Sequence, residues 1–373
     1  MSRLRICHLI TELGPAGAER CVYELATRLD RSRFDVQVVA LRGGAVAGWL
    51  AAAGVPVTVL GVRGRWDLPK LARLTGLLRN RCDLLHTHLF HADLVGRAAA
   101  ALAHVPHLVH TVHTAEGRFR PWQFAMARLL AHRCDRIICV SPSVLQLHSR
   151  RAGLPPWRYT VIPNGIDPQT FSPDPAARAR LRQQWGVPDS QVLLAYVGRL
   201  DHEKGIDVLL SAVSHLAARG HAVDVVIAGD GPQRRQVTNF IAHGEGGRRC
   251  RYLGHTDDVR AVLCAADVFL APSRWEGFGL AAAEAMACGL PVIAADVPGL
   301  RDLVLPGRTG VLVERADAAA LADAIEHLSA DPAARAAMGQ AGRDRVVRLY
   351  PLSAMIAAHE RLYLDVAADS LAP

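Results

Sequence analysis

Two glutamates, Glu276 and Glu284, lie eight positions apart in the segment RWEGFGLAAAEAMACGLPVIAAD, residues 274–296. Most residues around Glu284 are alanines, and a carboxylate with such apolar neighbours needs polar partners, because burying it without them is costly. Gly277 and Gly279 allow the backbone to come close to a ligand and to present amides at the positive end of a helix. Since carboxylates accept hydrogen bonds from vicinal hydroxyls, the pattern indicates two sugar rings, one at each glutamate. The alternative for Glu284 is an ordinary charged residue on a helix surface.

The segment YVGRLDHEKGIDVLL predicts a strand that ends at Gly198, followed by Arg199 and then by Lys204 at the start of a helix. Phosphate is bound by backbone amides at a helix N-terminus together with cationic side chains, and this spacing supplies both. The alternative is a solvated loop with ordinary charges. However, only two of the 43 basic residues are lysines, Lys70 and Lys204, so a lysine here suggests that a compact point charge is required.

A second glycine-rich loop is expected at the same edge of the sheet. In VIAGDGPQ, residues 226–233, a strand ends in a turn that includes Gly229. This signal is weak by itself, because tight turns use glycine for conformational reasons alone. Its position supports a functional role, since it comes one strand–helix repeat after the Arg199 loop and one repeat before YLGHTDDV. Three successive loops would then open on one edge.

The first half of the chain has its own glycine loop, ELGPAGAER, in which Gly14 and Gly17 follow the first predicted strand. This loop could approach a phosphate. It lacks the GxGxxG spacing of dinucleotide-binding proteins, and no acidic residue ends the next strand, DVQVVALRGG. These departures argue against a nicotinamide cofactor.

Several histidines follow in HTHLFHADLVG and HLVHTVHT. His86 and His88 alternate along a predicted strand and would face the same way, as two ligands of one metal ion must. No HExxH motif or carboxylate-rich ligand set accompanies them, so no bound metal is expected. His113, at the end of its strand, is the better candidate for contacting a substrate.

These motifs lie on alternating strands and helices. Strand-like runs rich in Val, Ile and Leu alternate with helix-period stretches along the whole chain, which predicts helix-connected, mostly parallel sheets. The Pro- and Asp-rich segment IPNGIDPQTFSPDP separates two such series. We therefore expect an α/β protein with two doubly wound, Rossmann-like domains, residues 1–167 and 168–350, and a ligand cleft between the carboxyl ends of their sheets. A last amphipathic helix is expected within 351–373.

Composition narrows the class of protein. No apolar run reaches the roughly 18 to 20 residues of a membrane span, and the N-terminal segment lacks a secretory cleavage site, so a cytoplasmic protein is expected. The eight cysteines include no CxxC pair, which argues against a zinc cluster or a disulfide framework.

The charged residues are distributed unevenly along the chain. The chain up to Gly165 has 22 basic and 10 acidic residues, whereas the remainder has 21 basic and 25 acidic residues. The first half, at about +12, is therefore expected to meet an anionic surface or partner.

The chain resembles the retaining glycosyltransferases of family 4 along nearly its whole length. The resemblance is carried, in order, by the segments AGAER, HTVHT, VIPNGID, GRLDHEKGIDVLL, AGDGP, LGHTDDV, SRWEGFGLAAAEAMACGLPVIAAD and GRTGVLV. It implies a GT-B fold, in which two Rossmann-like domains face each other across a cleft and the terminal helix returns to the first domain. It also implies a nucleotide-diphosphate sugar as the donor. One departure is Ala16, where many members have the first of two adjacent glycines.

The resemblance also implies roles for individual residues. Arg199 and Lys204 match the pair that binds the donor diphosphate. Glu284 matches the glutamate that binds the ribose hydroxyls, while Glu276 matches the one that contacts the transferred sugar. His113 matches the histidine that reaches the donor sugar. The other donor-binding positions implied in this way are Gly17, Asn164, Gly198, Gly229, Phe278, Gly279 and Leu280.

For such an enzyme, the reaction is the departure of a nucleoside diphosphate from an anomeric carbon. Negative charge grows on the leaving phosphate, and Arg199, Lys204 and loop amides would stabilise it without a metal ion. The sequence contains no DxD motif, the metal-binding signature of the other major glycosyltransferase fold. The resemblance further implies a front-face reaction, in which the acceptor hydroxyl enters as the leaving group departs and gives its proton to the phosphate.

Two basic segments of the first half are candidates for the acceptor side. RGRWDLPKLARLTGLLRNR contains Trp66, GRFRPWQFAMARLLAHR contains Trp122, and both repeat apolar residues at helical spacing. Basic amphipathic helices with aromatic residues suit anionic membrane surfaces. The same pattern also describes a helix packed on a sheet with its arginines exposed. The hypothesis is peripheral docking on the inner face of a membrane, where a lipid-linked glycan in polysaccharide or glycolipid synthesis is the acceptor.

Three other functions stay open. A sugar-nucleotide 2-epimerase of the same fold would act on the donor without an acceptor, and a non-catalytic nucleotide-sugar-binding subunit would use the same donor residues. Nucleic-acid binding is suggested by the pI of 9.3, but the basic residues are dispersed and no recognition module appears. The glutamates and the VIPNGID segment favour the transferase.

Overall fold

The computed structural model describes residues 3–62, 64, 67–114, 121–221 and 223–369. The chain forms two compact units. The first contains the chain up to Asn164 together with the last helix from Ser353 onwards, and the second extends from Gly165 to Leu352. Each unit is built on one parallel sheet, which confirms the predicted α/β class with two Rossmann-like sheets.

In the described part of the first unit, seven strands form the sheet: β1 (Leu4–Ile10), β2 (Phe34–Ala40), β3 (Val57–Val59), β4 (Leu84–His88), β5 (His107–Val112), β6 (Arg136–Cys139) and β7 (Tyr159–Val161). All neighbouring strands are parallel, in the order β3-β2-β1-β4-β5-β6-β7. The central strands β1, β4 and β5 are almost entirely buried, as expected for strands covered by helices on both faces.

Helices connect these strands: α1 (Gly17–Arg28), α2 (Ala45–Ala52), α3 (Leu68–Leu78), α4 (Phe90–Ala103), α5 (Pro121–Leu130) and α6 (Pro142–Ala152). The last of them illustrates how the sequence sets helix limits. Ser141 caps α6 by accepting a hydrogen bond from the Val144 amide at 3.2 Å. Gly153 ends it in the left-handed conformation, with φ +61°.

The second sheet has six strands within the described residues: β8 (Leu193–Val197), β9 (Asp224–Ala228), β10 (Cys250–Gly254), β11 (Val268–Ala271), β12 (Val292–Ala295) and β13 (Gly310–Val313). They are parallel, in the order β10-β9-β8-β11-β12-β13. All of them fall in runs that the sequence predicts to be strands. Their carboxyl ends therefore bring the loops after β8, β9 and β11 to one edge.

The helices of the second unit are α7 (Pro175–Trp185), α8 (Ile206–Ala218), α9 (Arg234–His243), α10 (Val259–Ala265), α11 (Leu280–Ala287), α12 (Leu300–Leu303), α13 (Ala318–Ala330) and α14 (Pro332–Leu349). Helix α7 is anchored by Arg182, whose side chain is 2% exposed. Arg182 Nη1 donates to Asp267 Oδ2 at 3.1 Å. The Asp267 carboxylate also accepts from the Leu193 amide at 2.8 Å, so one buried ion pair ties α7 to the start of β8.

The last helix, α15 (Leu352–Asp369), packs on the sheet of the first unit. Its Tyr363 is fully buried, and the hydroxyl lies 2.7 Å from His86 Nδ1 on β4. The Tyr363 ring also packs edge-on against Phe34 of β2, with centroids 6.2 Å apart. Nearer the surface, Glu360 accepts a hydrogen bond from the Asp30 amide at 2.8 Å. The helix thus belongs to the first unit although it comes last in the chain.

The helices were also compared with the length and hydropathy that a membrane span requires. Within the described ranges, none is both long enough and apolar enough to cross a bilayer.

Candidate functional site

The candidate site lies at the carboxyl edge of the second sheet, next to the point where the strand order reverses. From β8 the chain continues through β9 and β10 on one side, and then returns to β11 on the other side of β8. In doubly wound sheets, ligands bind in the crevice at such a reversal. Here the crevice is flanked by the loops 198–205, after β8, and 272–279, after β11.

The loops at this edge contact each other backbone to backbone. Gly205 has φ +68°, and a Cβ on it would lie 2.1 Å from the carbonyl oxygen of Pro272. The turn after β9 is equally close, because a Cβ on Gly229 would lie 1.9 Å from the carbonyl oxygen of Gly198. Packing alone therefore requires glycine at both positions. For Gly229 this is a structural explanation that stands beside its predicted contact with the donor.

Lys204 and Glu276 form an ion pair between the two loops. Lys204 Nζ donates to both carboxylate oxygens of Glu276, at 2.8 Å to Oε1 and 2.6 Å to Oε2. The two side chains are 25% and 14% exposed, so water screens their charges only in part. The structure thus brings together the lysine predicted to bind diphosphate and the glutamate predicted to contact the transferred sugar.

Arg199 is more exposed than Lys204 and is held by two carboxylates. Its Nε lies 2.5 Å from Asp201 Oδ2, and its Nη2 donates to Glu203 Oε2 at 3.2 Å. The Arg199 side chain is 46% exposed, so an anionic ligand can reach it. Burial raises the pKa of the Glu203 carboxyl, although the charges of Lys204 and Arg199 act in the opposite direction.

Arg274 and Asp207, which the sequence analysis did not single out, fasten the two loops together. Arg274 Nη1 and Nη2 donate to the two carboxylate oxygens of Asp207, both at 2.7 Å. The Arg274 amide donates to the carbonyl of Glu203 at 2.8 Å. These side-chain hydrogen bonds lower the pKa of the Asp207 carboxyl. The sequence held a signal for this pair, namely an acid three residues after Lys204 and a base two residues before Glu276.

Glu284 lies in the second turn of α11 and is 6% exposed. It is therefore not on a solvated helix surface. The helix begins after Gly279, which has φ +92°, close to the predicted start. Phe278 is buried before it and packs edge-on against the ring of Tyr350, with centroids 5.2 Å apart. The amides expected to face the donor, from Phe278 to Leu280, lie at this helix N-terminus.

The helices after the four central strands have no side-chain N-cap. Helices α8 and α11 follow glycines, α9 follows Gln233 and α12 follows Gly299, and none of these residues caps its helix with a side-chain hydrogen bond. By contrast, Asp258 and Asp317 cap α10 and α13, which follow the two outer strands. No side-chain cap therefore competes with an anion at these four helix ends, and the positive end of a helix favours an anion.

The first unit contains a buried histidine cluster on the face of its sheet that α15 covers. His8 on β1 and His88 on β4 are fully buried, and His8 Nδ1 lies 3.1 Å from His88 Nε2. His88 Nδ1 in turn lies 2.9 Å from Nε2 of His113, directly after β5. Burial, reinforced by neighbouring histidines, lowers the pKa of His8 and that of His113 to about 3. The rings are therefore neutral at physiological pH.

Three histidines of this cluster lie close enough to share a metal ion. One nitrogen from each of His8, His86 and His88 falls within 4.8 Å of the others. However, both ring nitrogens of His86 are already engaged, since Nδ1 lies 2.7 Å from the Tyr363 hydroxyl and Nε2 lies 2.7 Å from the Thr111 hydroxyl. An ion bound by His86 would have to break one of these hydrogen bonds. Hydrogen bonding alone therefore explains how this ring is held.

The remaining predicted residues of the first half lie on other elements of the first unit. Gly17 is the first residue of α1, which no side chain caps. Asn164 is buried after β7. Trp122, the second residue of α5, is 39% exposed, and its ring packs edge-on against Phe90 with centroids 5.5 Å apart. Trp66 lies outside the described residues.

Two protein-family profiles match the chain. The profile "Glycosyltransferase Family 4" matches residues 15–170, and the profile "Glycosyl transferases group 1" matches residues 177–345. Together they include both sheets except for the first strand.

The relatives of this chain include glycosyltransferases and a glycogen synthase. A D-inositol 3-phosphate glycosyltransferase from Xylanimonas cellulosilytica is 41% identical over 194 residues, which are 50% of this chain and 46% of that protein. The chain thus matches about half the length of that relative. Glycogen synthase from Mycobacterium tuberculosis is 32% identical over 76% of this chain and 69% of its own length. A UDP-Gal:alpha-D-GlcNAc-diphosphoundecaprenol alpha-1,3-galactosyltransferase from Escherichia coli is 27% identical over 98% of both chains.

Solved structures give the same fold. Anabaena HepE in complex with UDP-glucose aligns with a TM-score of 0.86 and 26% sequence identity over 99% of each chain. The chain belongs to glycosyltransferase family 4 and has the GT-B fold.

Proposed function

We propose that this protein is a retaining glycosyltransferase that moves a sugar from a UDP- or GDP-sugar to a hydroxyl of a lipid-linked glycan, in the synthesis of a cell-surface polysaccharide or glycolipid. The observation that carries the proposal is the Lys204–Glu276 ion pair at the switch point of the second sheet. It joins a cation for the leaving diphosphate to a carboxylate for the transferred sugar.

The second unit supplies the charge that a departing nucleoside diphosphate requires. Lys204 and the exposed Arg199 are two cations in the loop between β8 and α8, and the helices beside them, which lack side-chain caps, add backbone amides. When a diphosphate binds, its oxygens take over the ammonium and guanidinium donors that Glu276 and Asp201 hold in the free protein. Preorganised donors of this kind are typically worth about 10²- to 10³-fold each in turnover. We propose that they replace a metal ion.

The two glutamates have different tasks in this scheme. Glu276, which is paired with Lys204 in the free protein, accepts hydrogen bonds from hydroxyls of the transferred sugar once the donor is bound. Glu284, buried in α11, accepts from the ribose hydroxyls. Neither acts as a covalent nucleophile. The acceptor oxygen bonds to the anomeric carbon on the face from which the diphosphate leaves, the bond from that carbon to the phosphate oxygen breaks, and the acceptor proton moves to the phosphate.

The identity of the substrates is supported by the names of relatives. The Escherichia coli relative uses UDP-Gal and an undecaprenol-linked acceptor, and a relative from Mycolicibacterium smegmatis that is 35% identical over 191 residues is a GDP-mannose-dependent mannosyltransferase. A uracil or guanine nucleotide is thus proposed for the donor, and a lipid-linked glycan for the acceptor.

We propose that the basic first half docks on an anionic membrane surface at the cytoplasmic face. Helix α5 presents Leu129, which is 66% exposed, and Trp122 to the solvent, next to Arg128 in its last turn. At the start of α3, Leu68 is 65% exposed. Exposed apolar side chains among basic residues are what an anionic lipid interface binds. Such docking would bring the enzyme to an acceptor that cannot leave the membrane.

A donor screen tests the proposal. We expect a UDP- or GDP-sugar to raise the melting temperature of the purified protein more than the matching ADP-sugar does. Addition of a polyprenyl-diphosphate-linked sugar should then release the nucleoside diphosphate and form an α-linked product from an α-linked donor. Release or epimerisation of the sugar without any acceptor would instead identify a hydrolase or 2-epimerase, and binding without turnover would identify a regulatory subunit.

A further inference from the structure

The histidine cluster of the first unit contains a continuous chain of three rings. His8 Nδ1 lies 3.1 Å from His88 Nε2, and His88 Nδ1 lies 2.9 Å from His113 Nε2. The two ends of this chain are His8 Nε2 and His113 Nδ1. Both end atoms are buried and have no hydrogen-bond partner among the described residues. The chain therefore begins in the core and ends at the carboxyl edge of the sheet.

The chain restricts which nitrogen of each ring carries a proton. A neutral imidazole has one N–H donor and one lone pair, so three linked rings must all donate in the same direction. In one arrangement, the free N–H is at His8 Nε2 and the free lone pair is at His113 Nδ1. In the other, His8 donates to His88, His88 donates to His113, and the free N–H is at His113 Nδ1.

The core favours the second arrangement. An N–H group that stays buried without an acceptor is rarer in proteins than an unsatisfied acceptor, and His8 Nε2 is closed off in the core. His359, in the same cluster, shows this preference. Its Nδ1 lies 2.9 Å from the carbonyl oxygen of Met355, which can only accept, so the buried Nε2 without a partner is a lone pair. At the other end of the chain, the His113 side chain is only partly buried, whereas His8 is fully buried, so water or a ligand that enters at the sheet edge can satisfy the N–H of His113.

We infer that His8 and His88 are positioning residues that hold His113 with its proton on Nδ1, so that it donates a hydrogen bond to an oxygen of the bound donor sugar. This inference rests on the proposed function and deepens it. His113 is then a donor of fixed direction rather than a general base, because its other nitrogen is occupied by the His88 N–H. The ring needs no charge for this task.

Two further observations agree with a neutral chain. Burial is the main cause that lowers the pKa of His88 and of His113, and the neighbouring histidines lower both further. In addition, Asp93 is the carboxylate that lies closest to a histidine of this sheet, but it contacts His110, at 3.3 Å, on the face opposite the three rings. Asp93 is also paired with Arg97 at 2.9 Å.

The test is a measurement of tautomers in the whole protein without substrate. Nitrogen-proton correlation spectra of protein labelled at histidine nitrogens distinguish Nδ1–H from Nε2–H in each neutral ring, with assignment by single substitutions. We expect Nδ1–H at His8, His88 and His113, although Nε2–H is the form that neutral histidine prefers in water. Nε2–H at His113, a charged ring in the chain, or one equivalent of metal ion in the purified protein would each overturn the inference.

Substitution of the middle ring gives a second, independent measurement. In His88→Leu, His113 loses the donor to its Nε2, and we expect it to shift towards the Nε2–H form. We also expect kcat/KM to fall about tenfold, which is about 1.4 kcal/mol, while the Kd of the nucleoside diphosphate alone changes less than about twofold. The matched control is His148→Phe, which removes a buried histidine outside the chain and should leave the His113 tautomer unchanged.

The two measurements separate this inference from the proposed function. If the protein binds no nucleotide sugar, the proposed function fails whatever the tautomers are. If it transfers sugar but His113 keeps the same tautomer in wild type and in His88→Leu, the positioning role is wrong. If His88→Leu does not fold, the wild-type spectrum alone still decides between the two directions of the chain.

Discussion

At the scale of single residues, Lys204 and Glu276 each have a partner in the free protein that a substrate would replace. Their ion pair is only partly exposed, with the closest Nζ–O distance at 2.6 Å. Removing one member leaves the other charge partly desolvated, which costs more than the loss of an exposed pair. Arg199 is different, because its side chain is 46% exposed, whereas that of Lys204 is 25% exposed. It is therefore the better residue for testing catalysis separately from stability.

We predict that Arg199→Ala lowers the turnover of sugar transfer about 100-fold or more, because the departing diphosphate loses a preorganised cation. The matched control is Arg219→Ala. Arg219 belongs to the same unit, is 42% exposed and also pairs with two carboxylates, Asp323 and Glu326. It should change turnover less than about twofold, and neither variant should lower the melting temperature by more than a few degrees. Near-normal turnover of Arg199→Ala would contradict the assigned role.

The two glutamates are expected to respond differently to truncation. Glu284→Ala should chiefly raise the Kd of the free nucleoside diphosphate, because the ribose hydroxyls lose their acceptor. Glu276→Ala should chiefly lower kcat, because it removes the contact with the transferred sugar and leaves nucleotide binding largely intact. Titration calorimetry with the nucleotide and steady-state kinetics measure the two effects. Equal losses of binding in both variants would show that the roles are not divided.

At the scale of elements, the loops after β8 and β11 are held together by backbone contact and by charge. The αL conformation of Gly205 turns the chain into α8 while its Cα faces the Pro272 carbonyl. Arg274 and Asp207 then fix the loop ends by two hydrogen bonds. The backbone contact and the ion pair together position the Lys204 ammonium opposite Glu276. The predicted phosphate-binding function of this turn therefore depends on the contact between Gly205 and Pro272, which the sequence of α8 alone does not reveal.

We predict that Gly205→Ala is more destabilising than Gly186→Ala, which serves as its control. The two glycines have nearly the same φ, +68° and +67°, so the strain of a left-handed alanine, about 1 to 2 kcal/mol, is common to both. Only at Gly205 does a Cβ meet another atom, the Pro272 oxygen, within 4 Å. This clash should lower the free energy of unfolding by about 1 to 3 kcal/mol more, as measured in urea, and should weaken nucleotide binding. Equal destabilisation would show that the loop can move away.

At the scale of the whole molecule, the chain returns at its end to the unit where it began. Helix α15 buries Tyr363 and His359 against the first sheet. The Tyr363 hydroxyl is the partner of His86 Nδ1, and His86 shares a strand with His88 of the histidine chain. The last helix is therefore part of the polar core that supports His113. The net charge also differs between the two parts of the chain. It is about +12 up to Gly165 and about −4 in the remainder.

We predict that Tyr363→Phe lowers the free energy of unfolding of the first unit by about 1 to 3 kcal/mol, because a buried nitrogen of His86 loses its hydrogen bond. Tyr23→Phe is the control, since Tyr23 is partly exposed on α1 and should change stability by no more than about 0.5 kcal/mol. Hydrogen exchange in β4 reports the loss locally. Unchanged exchange in β4 would mean that the hydroxyl contributes no stability there.

Docking on membranes leads to a separate prediction. At low salt, the protein should sediment with anionic vesicles but not with neutral ones, and Leu129→Ser should weaken this binding about tenfold, because one exposed leucine no longer enters the interface. Leu349→Ser is the control, as Leu349 is 44% exposed in the second unit, where the net charge is acidic. If the wild-type protein stays in the supernatant at low salt, peripheral docking is wrong.

The sequence by itself determined the elements and the sheet edge to which the candidate site is assigned. Every described strand overlaps a segment that is predicted to be a strand, and most of these segments are rich in Val, Ile and Leu, because strand burial is recorded in local composition. Glycine-rich turns after β8, β9 and β11 must meet at one edge once the strands are parallel. Arg199, Lys204 and Glu276 could therefore be predicted to share one site from the sequence alone. The two-sheet fold could likewise be assigned to a known family.

The tertiary structure decided which side chains meet. The pairing of Lys204 with Glu276 and that of Arg274 with Asp207 depend on β8 and β11 being neighbours, and these strands are separated in sequence by β9 and β10. The line from His8 to His113 depends in the same way on β1, β4 and β5 lying side by side. Periodicity and propensity describe a residue relative to its own element. Strand order and the conformation of a few glycines set the distances between elements, and hydrogen-bonded chemistry depends on those distances.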